Sequence, residues 1–297
     1  MSYSLLSPYC MKIKIFCIYH KSAPIWKSDC IEPIQSGAFK HPAISPEILR
    51  DNTGDNISHK NDNYGEMSVW YWVWKNYIPE HPELEYIGFC HYRRFFSFSH
   101  IKKHIIPLSK FSKLFPIFYH QANIQRYVDA DIILPPRITT KNKSILEAFH
   151  EVHGKKDIDI FTEIVKRKYP QHASTVDETL NGNESYFFLN YIIRVDLYIS
   201  FMQWLFPILQ ELEEQTNWED YKSYDTIRMP AYIVERYFPV WVNIIKKQSN
   251  ITIKHLPLHL IQKDTPILKK IAKLFLFLLP RQKRRKIKDE WNQLLTL

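Results

Sequence analysis

Glu85-Tyr86-Ile87-Gly88-Phe89-Cys90-His91-Tyr92-Arg93-Arg94-Phe95-Phe96 opens as a short apolar run rich in aromatic and β-branched side chains. Such a run predicts a buried strand. It stops on His91-Tyr92-Arg93-Arg94. Two arginines and a histidine at the mouth of a central strand cost free energy unless an anion meets them. Ligands of open α/β sheets sit beyond the carboxyl ends of the strands. The stretch therefore points to a basic strand end that holds a phosphorylated ligand. Residue types alone equally allow Arg93 and Arg94 to pair with nearby carboxylates in a structural network.

Upstream, Met67, Trp70, Tyr71 and Trp74 recur at helical spacing and predict a core-facing helix from about Asn63 to Tyr77, closed by Pro79 and Pro82. Glu66 falls in its first turn, where a carboxylate suits the helix dipole. Ser58 and Asn61 are its candidate caps. The segment before it, Arg50 to Ser58, is dense in Asp, Asn, Thr and Gly and reads as turns. Lys12 to His20 alternates and then turns apolar, predicting the first strand with His20 at its carboxyl end. Downstream, a basic aromatic loop is expected to about His120, then a strand at Asp131 to Leu134 ending on Pro135-Pro136. Helices are expected at Ser144–His153, Ile158–Tyr169 and Leu197–Gln215, and a helix interrupted at Pro230 and Pro239 over Tyr224–Ile245. Ser185–Arg194 and Ile251–Leu260 read as strands. Strands alternating with helices imply an α/β fold with a mostly parallel central sheet flanked by helices.

The chain has 297 residues, 45% hydrophobic and 15% aromatic, enough for a sizeable core. With only 6 glycines it contains neither GxGxxG nor GxxxxGK[ST], so a phosphate site must use side chains or helix ends. The net charge of +9 suits nucleic acid, an anionic membrane or anionic small substrates. Abundant aromatics with basic charge are also a footprint of single-stranded nucleic-acid binding, but here the aromatics fall in apolar periodic segments, so no nucleic-acid partner is expected. Cys10, Cys17, Cys30 and Cys90 lack metal-ligand spacing, and Cys17 and Cys90, inside apolar strand-like runs, read as buried reduced thiols of a cytoplasmic protein. Residues 1–10 lack the features of a signal peptide and read as a dispensable extension before the domain at 11–262. Residues 263–297 form a separate tail: Ile267 to Leu279 is apolar but too short to span a bilayer, and Arg281 to Lys286 is basic. That combination suits the surface of an anionic membrane; the alternative is a terminal helix packed on the domain.

Several motifs together resemble one family. They are Asp51 to Ser58 with Asn61 and Asn63-Tyr64-Gly65-Glu66; Trp70 to Asn76; Tyr86 to Phe96; Asp131 to Pro135; and Glu235-Arg236. The set resembles the bacterial capsular and exopolysaccharide glycosyltransferase family catalogued as domain of unknown function 4422, over roughly residues 11–262. The resemblance implies a GT-A-like nucleotide-binding sandwich with an acceptor-binding half. It implies transfer of a hexose from a nucleotide-diphosphate donor to a growing, usually lipid-linked, glycan of capsule, exopolysaccharide or O-antigen. A uridine diphosphate donor is the default, with galactofuranose and other hexoses open. The expected place is the inner face of the cytoplasmic membrane, with the tail on the anionic surface. A non-catalytic nucleotide-sugar or glycan-binding component of a polysaccharide assembly complex is the alternative. Gly65 stands where the family often has cysteine, and the segment around Asn190 departs from the commoner pattern, which bears on acceptor choice.

Many GT-A enzymes end the middle strand on D-x-D to hold a divalent metal on the donor diphosphate. Here His91-Tyr92-Arg93 takes that place. Arginine forks directly onto diphosphate oxygens, so metal-independent catalysis is expected, with Arg93 and Arg94 in the metal's role and His91 donating a hydrogen bond; manganese or magnesium is the alternative. Asp129-Ala130-Asp131 is a literal D-x-D but precedes its strand and reads as the strand's start. His20 and Gly37 flank the first strand's exit, where a base would lie. Asp51, Asp55 and Asn56 carry acceptors for a uridine or ribose, or else hold their own loop as Asx turns. Tyr64, Glu66, Asn190, Asp225, Arg228 and Arg236 complete the candidate substrate-binding set. An inverting reaction needs a general base for the acceptor hydroxyl. Glu235, Asp225 and Glu66 are the candidates, with Glu235 first, and the arginines beside it are expected to lower its pKa.

Overall fold

The computed structural model describes residues 12–264 except 102, 187–188, 219–220 and 222–223. The extension at 1–10 and almost all of the tail at 263–297 therefore lie outside the described residues. The strands are β1 (Ile13–Tyr19), β2 (Ile31–Gln35), β3 (Leu49–Arg50), β4 (Tyr86–His91), β5 (Arg94–Phe96), β6 (Ile105–Pro107), β7 (Ile132–Leu134), β8 (Ile138–Thr139), β9 (Glu184–Ser185), β10 (Tyr191–Arg194), β11 (Ile253–His255) and β12 (Leu258–Gln262). The helices are α1 (Asn61–Tyr64), α2 (Met67–Trp72), α3 (Ile78–Glu80), α4 (Leu108–Phe118), α5 (Gln121–Ile124), α6 (Ile145–His153), α7 (Lys156–Lys168), α8 (Ala173–Leu180), α9 (Val195–Gln215), α10 (Tyr224–Ile227) and α11 (Met229–Gln248).

The main sheet runs β11-β7-β10-β4-β1-β2-β3. Its strands are parallel except β10, which runs against both neighbours. This is the expected mostly parallel sheet flanked by helices. Period-two alternation divides the core between its faces. Phe16, Ile18, Ile87 and Phe89 point toward the layer of α2, α7, α9 and α11. Ile15, Cys17, Tyr19 and Cys90 point toward Trp26 and the aromatic cluster of Phe95, Phe111 and Tyr119. Gly88 admits β10 closely, because a Cβ there would come within 2.9 Å of the Ile192 side chain.

Two features position the site. The register pairs Ile18 with His91, so His20 and His91 leave the sheet at one edge. β10 pairs Tyr191 with Phe89 and runs the other way, which brings Asn190 to the carboxyl end of β4. Beyond that end the chain does not enter a loop. His91 pairs with Arg94 and the chain reverses through Tyr92 and Arg93 into β5, which joins β12 and then β6.

Several local expectations are corrected. The expected loop before His120 contains α4, whose Phe111 and Phe115 are buried in the aromatic cluster. The expected helix at Asn63–Tyr77 breaks at Gly65 and runs on to Glu80. A π-turn over Val73–Tyr77 widens it before Pro79, whose ring would otherwise meet the carbonyl four residues back. α11 runs unbroken through Pro239, with Pro230 in its first turn, where no N–H is needed. The run at Ser185–Arg194 is two short strands, and Ile251–Leu260 is β11 and β12. No helix among the described residues is long and apolar enough to cross a membrane. Cys17, Cys30 and Cys90 are buried free thiols.

Candidate active site

A cavity of about 630 Å³ opens at the carboxyl ends of β1 and β4. That volume falls in the usual range for small-molecule sites. Its wall brings together His20, His91, Arg93, Arg94, Arg228 and the carboxylates of Glu66 and Glu235. Tyr64 and Asn190 also line it. Nine of the residues singled out from the sequence thus meet in one place, although they span His20 to Glu235 in the chain.

His91 Nε2 lies 3.4 Å from His20 Nδ1. Burial, then the charges of Lys21, Arg228 and Arg93, lowers His20 to about 4. Burial, then the neighbouring His20, Arg94, Arg93 and Lys21, lowers His91 to about 3. Both imidazoles are therefore neutral at neutral pH and act as hydrogen-bonding groups. Arg93 is exposed, with its guanidinium 5.3 Å from the Tyr92 ring centre. Among the described residues Arg93 forms no ion pair. Asn190 is buried and donates to the Arg94 carbonyl at 3.0 Å, holding the turn of the basic motif in place.

Gly65 explains the position of Arg228. With φ 56° and ψ −133° it occupies a region that side chains avoid. A Cβ there would stand 2.8 Å from Arg228 Nη2. Glycine at this position lets this guanidinium lie against the turn and face the cavity.

The two carboxylates behave alike for related reasons. Burial, then repulsion by Glu235, lifts Glu66 to about 7 against the pull of Arg94 and Arg228. Burial lifts Glu235 to about 7 as well, outweighing Arg236, Arg94 and Arg228. The expected lowering of Glu235 by its arginines is thus corrected: desolvation wins over ion pairing here. Glu235 is held by Arg236 Nη1 at 2.7 Å, and the same nitrogen donates to the Tyr232 carbonyl at 3.1 Å. Arg236 therefore positions Glu235 from outside the cavity wall. Glu66 has no ion-pair or hydrogen-bond partner for its carboxylate among the described residues.

Other candidates fall behind or away from the wall. Asp51 is fully buried and accepts from the Gly37 and Ala38 amides at 2.9 Å and from the Ser58 and Ser68 hydroxyls at 2.6 Å. It has no oxygen left for a ligand and instead braces the wall through Ser68 and Asn61. Gly37, its amide engaged, does not line the cavity. Asp55 accepts from the Tyr71 hydroxyl at 3.1 Å on the exposed surface, and Asn56 bridges Gly54 and Ser58 as an Asx turn. Those loop residues take the structural alternative. The Asp225 side chain lies outside the described residues. Tyr64 contributes its ring, since its hydroxyl donates to Glu213 at 3.0 Å. Lys21 and His41 join the wall without having been singled out. Lys21 follows His20 directly, so the strand-end logic covers it; His41 comes from beyond β2, a strand hidden in an irregular-looking stretch.

Asp129 and Asp131 lie at the opposite edge of the sheet. Asp129 pairs with Lys254 at 2.6 Å and Asp131 with Arg194 at 2.8 Å. Although burial opposes it, hydrogen bonds from Thr252 and Arg194 hold the Asp131 carboxyl below its ordinary range. No group of three His, Cys, Asp or Glu among the described residues is placed to hold one metal ion.

A family model described as "Domain of unknown function (DUF4422)" matches residues 14–248. Among solved structures, the chain is similar to the apo structure of the WbbM bifunctional glycosyltransferase, with a TM-score of 0.76 and 26% sequence identity. The match covers 86% of this chain and 46% of that one, so the chain spans less than half the length of this neighbour. No curated protein matches the chain.

Proposed function

The chain belongs to the family described as Domain of unknown function (DUF4422), and from that premise we propose that it is a glycosyltransferase of surface-polysaccharide synthesis. The donor is a nucleoside diphosphate hexose, with uridine as the default base. The acceptor is a glycan carried on a lipid. The similarity to a bifunctional glycosyltransferase supports this reading. The observation that carries it is the meeting of Arg93, Arg94 and Arg228 with Glu66 and Glu235 on one cavity.

The division of charge matches the chemistry. An acceptor hydroxyl attacks the anomeric carbon as the bond from that carbon to the diphosphate oxygen breaks, and the diphosphate leaves with added negative charge. Guanidinium groups already fixed at the strand end stabilise that charge without reorganising. Neutral His91 accepts the Arg93 amide at Nδ1 and donates from Nε2 to His20 Nδ1, which leaves the His20 Nε2–H to donate to a phosphate or ribose oxygen. Glu235, oriented by Arg236 and titrating near neutrality, accepts the hydroxyl proton, which is the pKa a general base wants. Glu66, its carboxyl lifted to about 7 beside Glu235, receives a sugar hydroxyl. In this scheme the cations of the strand end do the work a divalent metal does elsewhere, so turnover needs neither manganese nor magnesium. The tail beyond residue 264 adds contact with the anionic inner face of the membrane, where a lipid-linked acceptor lies. The test is a screen of nucleotide sugars against the full chain by thermal shift. A donor raises the melting temperature by mass action, and a screen without a binder contradicts the proposal.

A further inference from the structure

A second hollow of about 390 Å³ lies on the far side of Arg94, between β6, β12 and the turn after β7. Its floor is apolar: Ile105, Pro136, Ile138, Leu258 and Leu260. Its rim carries the guanidinium groups of Arg94 and Arg137, with the His104 side chain beside them. Ile105 is 53% exposed and Ile138 40%, and they are two of the five most exposed large apolar side chains among the described residues. Clustered exposure of this kind marks a binding surface rather than scatter. Arg94 lines both this groove and the active-site cavity, and the β5–β12 register sets Leu260 opposite it. Arg137 is anchored by the Tyr186 hydroxyl at 3.0 Å and by Glu184 at 3.2 Å, which fixes a cation at the groove's other end.

An apolar trough that ends on fixed cations beside a glycan site matches an apolar chain joined to a phosphate. We infer that this groove seats the first part of the lipid of a lipid-diphosphate-linked acceptor, with the phosphates at Arg94 and Arg137 and the glycan continuing past Arg94 into the active-site cavity. The inference rests on the glycosyltransferase reading and adds to it where the acceptor's carrier is held. A peptide strand is the poorer occupant, because the prolines at 136 and 257 give the groove no row of backbone donors.

Calorimetry on the full chain with farnesyl diphosphate and inorganic diphosphate tests it. The lipid diphosphate should bind at least about tenfold tighter, as burying a few methylene groups requires. The double variant Ile105→Asn and Ile138→Asn, which removes apolar surface without adding charge, should remove that advantage and leave the affinities for inorganic diphosphate and UDP unchanged. Both positions are exposed, and the single variant Ile105→Asn, expected to weaken the lipid diphosphate alone, guards against misfolding. Equal affinity of the two diphosphates in the wild type, or an advantage that survives the double variant, overturns the inference. So does a dimer that the same substitutions dissolve, since the groove then belongs to a second copy. A farnesyl preference without nucleotide-sugar binding sinks the glycosyltransferase reading and spares the groove; nucleotide-sugar binding without the preference does the reverse.

Discussion

Glu66→Gln isolates the electrostatic cost built into the cavity. Glu66 has no hydrogen-bond partner to lose among the described residues, so the substitution removes charge and little else. Its carboxyl rises from 4.5 to about 7 through burial and the nearby Glu235. Between those values the folded chain holds a proton that the unfolded chain has released, so wild-type stability falls as pH rises. A rise of that size corresponds to a ceiling of about 3 kcal/mol. Partial exposure screens part of it, leaving roughly 1–2 kcal/mol. The variant should match the wild type below about pH 4.5 and exceed it by that amount above about pH 7. In melting temperature the gain is about 2–4 °C per kcal/mol. Paired thermal melts across that range are the assay. A stability difference that stays flat with pH, or a variant weaker than the wild type at about pH 8, refutes the account of Glu66 as a charge held at a cost for function.

Glu235→Gln should keep the fold and donor binding but lose turnover by about a hundredfold to ten-thousandfold, and the wild-type rise of kcat through about pH 7 should vanish with it; normal turnover would transfer the base's role elsewhere. Gly65→Ala should cost about 1–3 kcal/mol from its backbone conformation and weaken donor binding by displacing Arg228, read by denaturant melts and calorimetry, and unchanged values for both would contradict that placement. Ending the chain after Asp264 should move the protein from membrane to soluble fractions while activity on a soluble acceptor persists; unchanged fractionation rules out the tail as the anchor.

The organising strand, its basic end and the parallel sheet around it were legible because each is local in the chain. An alternating run marks β1, a short apolar run marks β4, and the abrupt change at His91 marks an edge. Where readings went astray, long-range effects decide. α4 hides in an aromatic segment whose helicity comes from packing Phe111 and Phe115 into the cluster around Trp26. Asp51 reads as a ligand group by type, yet four donors from Gly37, Ala38, Ser58 and Ser68 consume it. Adjacent arginines predict a lowered pKa for Glu235, while the burial that reverses the sign depends on how α11 packs. The convergence of Glu66 from the start of α2 with Glu235 from α11 likewise belongs to tertiary structure alone.

The most direct test of the central claim is calorimetric titration of UDP and UDP-hexoses into the wild type and the Arg93→Ala, Arg94→Ala double variant, with EDTA present throughout. The account predicts that the wild type binds a uridine diphosphate sugar without metal, and that the folded double variant loses that binding and, per arginine, about a hundredfold or more of turnover. Binding that EDTA abolishes and manganese restores, or binding that the double variant retains in full, would contradict it.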